Sequence, residues 1–114
     1  IGLSHHELRI DFEHDELPES MEEIKRINLY RIVQELFHNT LKHAQATQIS
    51  IELRHQNYQI QLHYQDNGGG FTSHQTTHGN GLTNIESRAM LLNGKLQIDT
   101  SPGKGFKILI EIPI

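Results

Sequence analysis

Three groups of residues in this chain have types and spacings that could do chemistry. The first is Gln65-Asp66-Asn67-Gly68-Gly69-Gly70-Phe71, and the second, Gly79-Asn80-Gly81-Leu82, follows closely. Successive glycines weaken a helix or strand by roughly 0.5–1 kcal/mol per residue relative to alanine. What they supply instead is positive φ and unobstructed backbone N–H groups that a phosphate or nucleobase can approach. A flexible loop is the plain alternative for the glycines alone. The second Gly-x-Gly, set just ahead of a helical pattern, favours an anion site at a helix N-terminus. The third group is Glu35, Asn39 and Lys42, at i, i+4 and i+7 of a helical stretch. At 100° per residue they fall within about 60° of one another. A solvated face with a helical charge pair would account for that spacing. The same groups also suit a magnesium–phosphate unit. The amide oxygen is a hard ligand, the ammonium meets phosphate, and the acid orders water or takes a proton.

These residues need elements to position them. Glu7 to His14 reads as a strand, with Leu8, Ile10 and Phe12 alternating against polar neighbours. Asp15 to Glu19 is a turn, and Ser20-Met21-Glu22-Glu23 has the Ser-x-x-Glu form of a capping box, so a helix should start near Met21. Its buried face would carry Leu29, Ile32, Val33, Leu36, Phe37, Leu41 and Ala44, with a break expected around Lys25 to Asn28 because the pattern is long. Thr47 to Arg54 and Tyr58 to Gln65 are two alternating strands joined by His55-Gln56-Asn57. Asp66 then stands at a strand end, a rigid place from which to aim a carboxylate. Thr72 to His78 is polar and lacks periodicity. From Gly81 a helix with Leu82, Ile85, Ala89 and Leu92 inward runs to a stop at Asn93-Gly94. Lys95 to Thr100 and Phe106 to Pro113 complete the strands, joined by the glycine turn Ser101-Pro102-Gly103-Lys104-Gly105. The expected fold class is a two-layer α/β sandwich, with a mixed, mostly antiparallel sheet covered on one face by helices. The unusual residues all gather at one edge of it.

Composition limits the function classes. A chain of 114 residues is one domain, 1–114, able to bury a core without staples. Net charge is −4 with His neutral, which argues against a nucleic-acid partner held by phosphate neutralisation. There is no Cys for a disulfide framework, a zinc knuckle or thiol chemistry. No apolar run approaches the ~18 residues of a membrane span, so no direct membrane insertion is expected. The start at Ile1, without Met, suggests a piece of something longer. Nine histidines, with His74 and His78 at i, i+4, invite a metal reading, but no third ligand stands at a recognisable spacing.

Taken together, four boxes in order resemble the GHKL ATPases with the Bergerat fold, and most closely the catalytic, ATP-binding domains of bacterial sensor histidine kinases. Glu35-Leu36-Phe37-His38-Asn39-Thr40-Leu41-Lys42-His43-Ala44 resembles the N box, and Asp66-Asn67-Gly68-Gly69-Gly70-Phe71 the first glycine box. Gly79-Asn80-Gly81-Leu82 resembles the second and Gly103-Lys104-Gly105 the third. The short segment between the boxes and the run Leu29 to Glu35 are similar to the short-lid kinases of nitrate- and membrane-fluidity-sensing type.

The resemblance implies ATP and Mg²⁺ as cofactors and a role for each box. Asp66 would accept a hydrogen bond from the adenine amino group, Gly68 and Gly70 would let the backbone pass close to the nucleotide, and Phe71 would be among the ATP-binding residues. Asn39 would supply its amide oxygen to Mg²⁺, Lys42 would contact phosphate, and His43 would stand beside it. Gly79, Gly81 and Leu82 would present N–H groups to phosphate, with Gly103 and Gly105 forming the third box. Glu35 would polarise a water or assist proton removal from the attacking imidazole. One position departs: the third box usually ends in Thr, whose hydroxyl joins the hydrogen bonds around the adenine-reading Asp, and Phe106 stands there instead. Asp66 would then need another partner.

The same resemblance implies a γ-phosphoryl transfer to a histidine on a separate helical dimerisation domain of a homodimeric parent, with a response regulator downstream. His5 and His6 do not lie on an amphipathic helix that could serve as acceptor. The domain would be cytoplasmic and the parent anchored in the bacterial inner membrane. Two other readings stand beside this: a GHKL serine kinase of anti-sigma type, and a degenerate nucleotide-binding or docking module without catalysis.

Overall fold

The computed structural model describes residues 8–44, 46–68, 80–100 and 105–114, with the side chains of residues 43, 44 and 80–82 outside that description. Five strands form one sheet: β1 (Arg9–His14), β2 (Gln48–Gln56), β3 (Gln59–Asp66), β4 (Lys95–Thr100) and β5 (Phe106–Pro113), in the order β1-β2-β3-β5-β4. β1 runs parallel to β2, with Arg9 opposite Gln48, and the other three pairings are antiparallel. Among the described residues two helices, α1 (Glu23–Asn39) and α2 (Asn80–Leu91), pack against this sheet, and α1 continues into a π-helical turn, Thr40–Ala44. The two-layer expectation is met.

Strand alternation supplies one wall of the core. Ile60, Leu62 and Tyr64 from β3 and Phe106, Ile108, Ile110 and Ile112 from β5 are buried, while the residues between them are not. Helical spacing supplies the other wall, with Leu29, Ile32 and Leu36 from α1 and Ile85 and Ala89 from α2. Leu92 joins them just past the end of α2. There Asn93 takes a positive φ of 57° and the Gly94 N–H returns to the Ala89 carbonyl at 2.8 Å, so the expected stop is the observed one.

Four local expectations are corrected. The Ser20–Glu23 capping box does not form. Glu22 is the N-cap, with no side-chain cap bond, and the entry is held by the Arg26 guanidinium on the Pro18 and Met21 carbonyls. The helix does not break at Lys25 to Asn28, because the Asn28 amide joins the helix, donating to the Ile24 carbonyl at 2.9 Å while accepting from Arg88 Nη1 at 3.1 Å. The β2–β3 connection is Asn57-Tyr58, both at positive φ, a two-residue turn whose twist matches the strands. It takes Tyr58 out of the strand. Finally, Ile10 and Phe12 are 44% and 58% exposed, since among the described residues β1 is an edge strand paired with β2 alone.

Candidate functional site

Asp66 closes β3, a strand paired on both sides, where it stands opposite Ile49 of β2 and Phe106 of β5. It shares the helix-facing side of the sheet with Tyr64 and is only 3% exposed. A buried carboxylate is costly unless donors surround it. Two do. The Thr40 hydroxyl donates to Oδ2 at 2.8 Å, and the Gly68 N–H donates to Oδ1 at 2.9 Å, bending the chain as it leaves the strand.

Thr40 is itself part of a small buried network. Its Oγ1 lies 2.5 Å from the Tyr64 hydroxyl and 3.1 Å from the Leu36 carbonyl, and the Tyr64 hydroxyl also reaches the Leu36 carbonyl at 3.1 Å. One threonine proton cannot serve both Leu36 and Asp66, and a carboxylate is the stronger acceptor. The protons therefore run from Tyr64 to Thr40 and from Thr40 to Asp66. Burial pushes the Tyr64 phenol well above its ordinary range; the Thr40 hydrogen bond offsets part of that rise and the Asp66 charge adds to it. Tyr64 is a permanent donor at any physiological pH.

This network coincides with the change in helix geometry. The Leu36 carbonyl serves the Thr40 N–H and lies within reach of both hydroxyls, so it is shared beyond the usual i→i+4 ladder, and the chain widens into a π-turn from Thr40 onward. The wider turn ends the 100° per residue spacing. Asn39, 8% exposed, and the half-buried Glu35 keep their α-helical relation, one turn apart. Lys42 falls in the wider turn and is exposed, as is Leu41, which the helical pattern had assigned to the buried face.

Phe106 does not leave Asp66 without a hydroxyl, because Thr40 provides one from the helix. Phe106 is buried instead, edge-on to the Tyr64 ring at 6.4 Å between centroids. Gly105, just before it, has φ +79°, and a Cβ there would lie 2.6 Å from the Asp66 carbonyl oxygen. The third glycine turn thus packs directly on the backbone of the carboxylate residue. Asn67 ties the strand exit down from the other side: its Oδ1 accepts from the Thr47 and Gln48 N–H groups, each at 2.9 Å.

The structure brings together Asp66, Gly68 and Gly105 around one strand end, with Asn39 adjoining Thr40 on the helix. Gly81 and Leu82 lie in the first turn of α2, where backbone N–H groups are unsatisfied within the helix. Gly70, Phe71, Gly79, Gly103, the lid from Thr72 to His78 and the side chain of His43 lie outside the described residues. Among the described residues no group of three acidic, His or Cys side chains could hold a metal. Magnesium carried on nucleotide phosphates keeps water and takes only one or two protein oxygens. The Asn39 amide oxygen and, one turn before it, the Glu35 carboxylate are of the right chemical type.

Sequence reasoning missed Thr40, Tyr64 and Asn67 as site residues. Thr40 stood inside the quoted N-box stretch; its signal was a hydroxyl next to Asn39 with a hydroxyl deficit at Phe106, two facts that only the fold joins. A groove of about 860 Å³ also runs along the opposite face of the sheet, among Glu52, His63, Gln65 and Lys107, and its described lining includes neither Asp66 nor Asn39.

Comparison with known proteins agrees with this geometry. Residues 24–114 match the family described as histidine kinase-, DNA gyrase B-, and HSP90-like ATPase. The chain is 46% identical over 92 residues to the sensor histidine kinase ComP of Bacillus subtilis, covering 78% of this chain and 12% of that protein. It is 37% identical over 106 residues to the signal transduction histidine-protein kinase/phosphatase DegS of Brevibacillus brevis, covering 92% of this chain and 28% of that one. The chain therefore spans a small part of these relatives' length. Among solved structures, the histidine kinase domain of the blue-light activated kinase of Erythrobacter litoralis EL346 superposes with TM-score 0.77 at 20% identity, covering 94% of this chain and 52% of that one. The ATP binding domain of PrrB from Mycobacterium tuberculosis superposes with TM-score 0.69 at 19% identity, covering 94% of this chain and 80% of that one. At such identities these two show the fold.

Proposed function

We infer the function from family and geometry together: this chain belongs to the histidine kinase-, DNA gyrase B-, and HSP90-like ATPase family, and it is the ATP-binding domain of a sensor histidine kinase. The observation that carries the reading is the buried Asp66 carboxylate, held by two donors at a strand end so that it offers only acceptor capacity to a ligand. An adenine amino group is a donor of the matching kind. A guanine presents a carbonyl at the corresponding position and would meet acceptor with acceptor.

The remaining roles are proposals of the same kind. Gly68 and Gly70 let the nucleotide approach the backbone, Gly105 keeps its turn close to Asp66, and Phe71 and Gly103 complete the ATP-binding set. Gly79, Gly81 and Leu82 give N–H groups to phosphate at the start of α2. Lys42 meets phosphate as a point charge, with His43 beside it. Asn39 would hold Mg²⁺, which when bound neutralises charge on the phosphates. In the transfer, an imidazole nitrogen of the acceptor histidine bonds to the γ-phosphorus, the bond to the β-phosphate oxygen breaks, and ADP leaves. Glu35 takes the imidazole proton or orders a water.

The acceptor histidine belongs to a helical dimerisation domain of a homodimeric parent, and the phosphoryl group passes on to a response regulator. Use of ATP fits a cytoplasmic domain, with the parent anchored in the bacterial inner membrane; among the described residues no helix is long and apolar enough to cross a membrane.

Calorimetric titration of the chain with ADP and ATP, with and without Mg²⁺, tests the reading against Asp66→Asn. An Asn there keeps one acceptor oxygen where two donors converge, so binding should fall by at least tenfold. Equal affinity in the variant, or no binding by wild type at millimolar nucleotide, would overturn it and favour a docking module. In a parent carrying the acceptor domain, Asn39→Ala should spare metal-free ADP binding and abolish Mg²⁺-dependent phosphoryl transfer.

A further inference from the structure

We propose that Thr40, oriented by Tyr64, is a specificity-determining residue for the nucleotide base, supplying a hydroxyl to the Asp66 carboxylate from the π-turn that follows α1. The inference rests on the ATP-binding reading and adds to it a residue that acts through Asp66. A carboxylate selects a donor only while its orientation and its own donors are fixed. Here Oδ1 is committed to the Gly68 N–H and Oδ2 to the Thr40 hydroxyl. The direction of the Thr40 hydrogen bond is set in turn by Tyr64: the two hydroxyls lie 2.5 Å apart, and a phenol donating to Thr40 Oγ1 leaves the threonine proton to the carboxylate. Phe106 takes part by shape. It occupies the glycine-turn position with an aromatic ring, packs edge-on against Tyr64, and leaves the polar work to the helix side.

Two features separate this arrangement from ordinary core hydrogen bonding. All three side chains are buried, so water cannot replace a lost donor. The network also spans 26 residues of chain between Thr40 and Asp66, binding the start of the π-turn to the end of β3. Asn39, the proposed magnesium contact, immediately precedes Thr40. The base-reading carboxylate and the metal-reading amide are therefore held in register by one helix segment.

The test compares Thr40→Val, Thr40→Ser and Tyr64→Phe in the full chain, titrated with ADP and with GDP, with thermal unfolding of each variant as a control. Val matches Thr in shape and removes the hydroxyl. Its ADP affinity should fall roughly tenfold, the scale of one hydrogen bond to a charged acceptor. Its preference for ADP over GDP should narrow by a similar factor. Thr40→Ser should restore both, since it returns the donor without the methyl, whereas a role in packing alone would not be rescued. Tyr64→Phe keeps the ring against Phe106 and should give a smaller loss, because Thr40 is then free to donate to Leu36 instead. Should Thr40→Val fail to fold, the Ser and Phe variants still decide. Tyr64→Phe with the wild-type ADP:GDP ratio would overturn the inference, as would Thr40→Val with unchanged affinity. Wild-type chain that binds neither nucleotide would overturn the ATP-binding reading itself, and this inference with it.

Discussion

Gly105→Ala probes how tightly the third glycine turn is packed on the site. Gly105 sits at φ +79°, where an L side chain costs about 1–2 kcal/mol. The added Cβ would lie 2.6 Å from the Asp66 carbonyl oxygen, inside any real contact distance, and that oxygen belongs to backbone paired across β3 and β5. Relief requires the turn or the strand end to move, adding about 1–2 kcal/mol of the kind seen for overpacking. The smaller entropy of the unfolded alanine chain returns about 0.5 kcal/mol. The net loss is about 1.5–3.5 kcal/mol, or roughly 6–14 °C in Tm at about 4 °C per kcal/mol for a domain of this length. Gly94→Ala is the control. Its Cβ would meet the Ala89 and Glu111 carbonyl oxygens at 3.1 Å without a positive φ, so it should cost about 1 kcal/mol. Thermal unfolding by circular dichroism, followed by ADP titration, reads both stability and the Asp66 site. Gly105→Ala melting within 4 °C of wild type, or Gly94→Ala proving the more damaging, would refute the reasoning.

Other perturbations follow from single observations. Tyr58 is exposed and holds φ +62° in a two-residue turn after Asn57, so Tyr58→Gly should raise stability by about 1 kcal/mol in urea unfolding. The His55 N–H, with Arg54 alongside, holds the Asp15 carboxyl below its ordinary 3.8. A depressed carboxyl stabilises the fold above that value and stops doing so as pH falls through the lower folded value. Asp15→Asn should therefore lower the urea midpoint at pH 7 and leave it unchanged near pH 2; a deficit of equal size at both pH values would contradict the sign. Gly81→Val should weaken ATP binding through the first turn of α2 while leaving the helix formed by far-ultraviolet circular dichroism.

Much of this protein is legible in the order of its residues because strand and helix periods are local. Ile60, Leu62 and Tyr64 announce a strand face by alternation, and Leu29, Ile32 and Leu36 announce a helix face by their three- and four-residue spacing, both before any contact is known. Asp66 could be singled out from its neighbours in sequence, since an acid ahead of glycines at a strand end has few structural uses. The exposure of Ile10 and Phe12 could not. Their alternation is that of a buried strand, and only the sheet order makes β1 an edge. The geometry after Asn39 was equally hidden, because a helix-period argument assumes the i→i+4 ladder continues, whereas the chain widens into a π-turn at Thr40, beside a carbonyl that a tyrosine from β3 also reaches. Phe106 shows the division most clearly. The residue order put Phe106 where the resembled family carries a hydroxyl. The tertiary structure decided that nothing was lacking, since a hydrogen bond requires only that donor and acceptor meet, and folding carries Thr40 to 2.8 Å from Asp66 across 26 residues of chain.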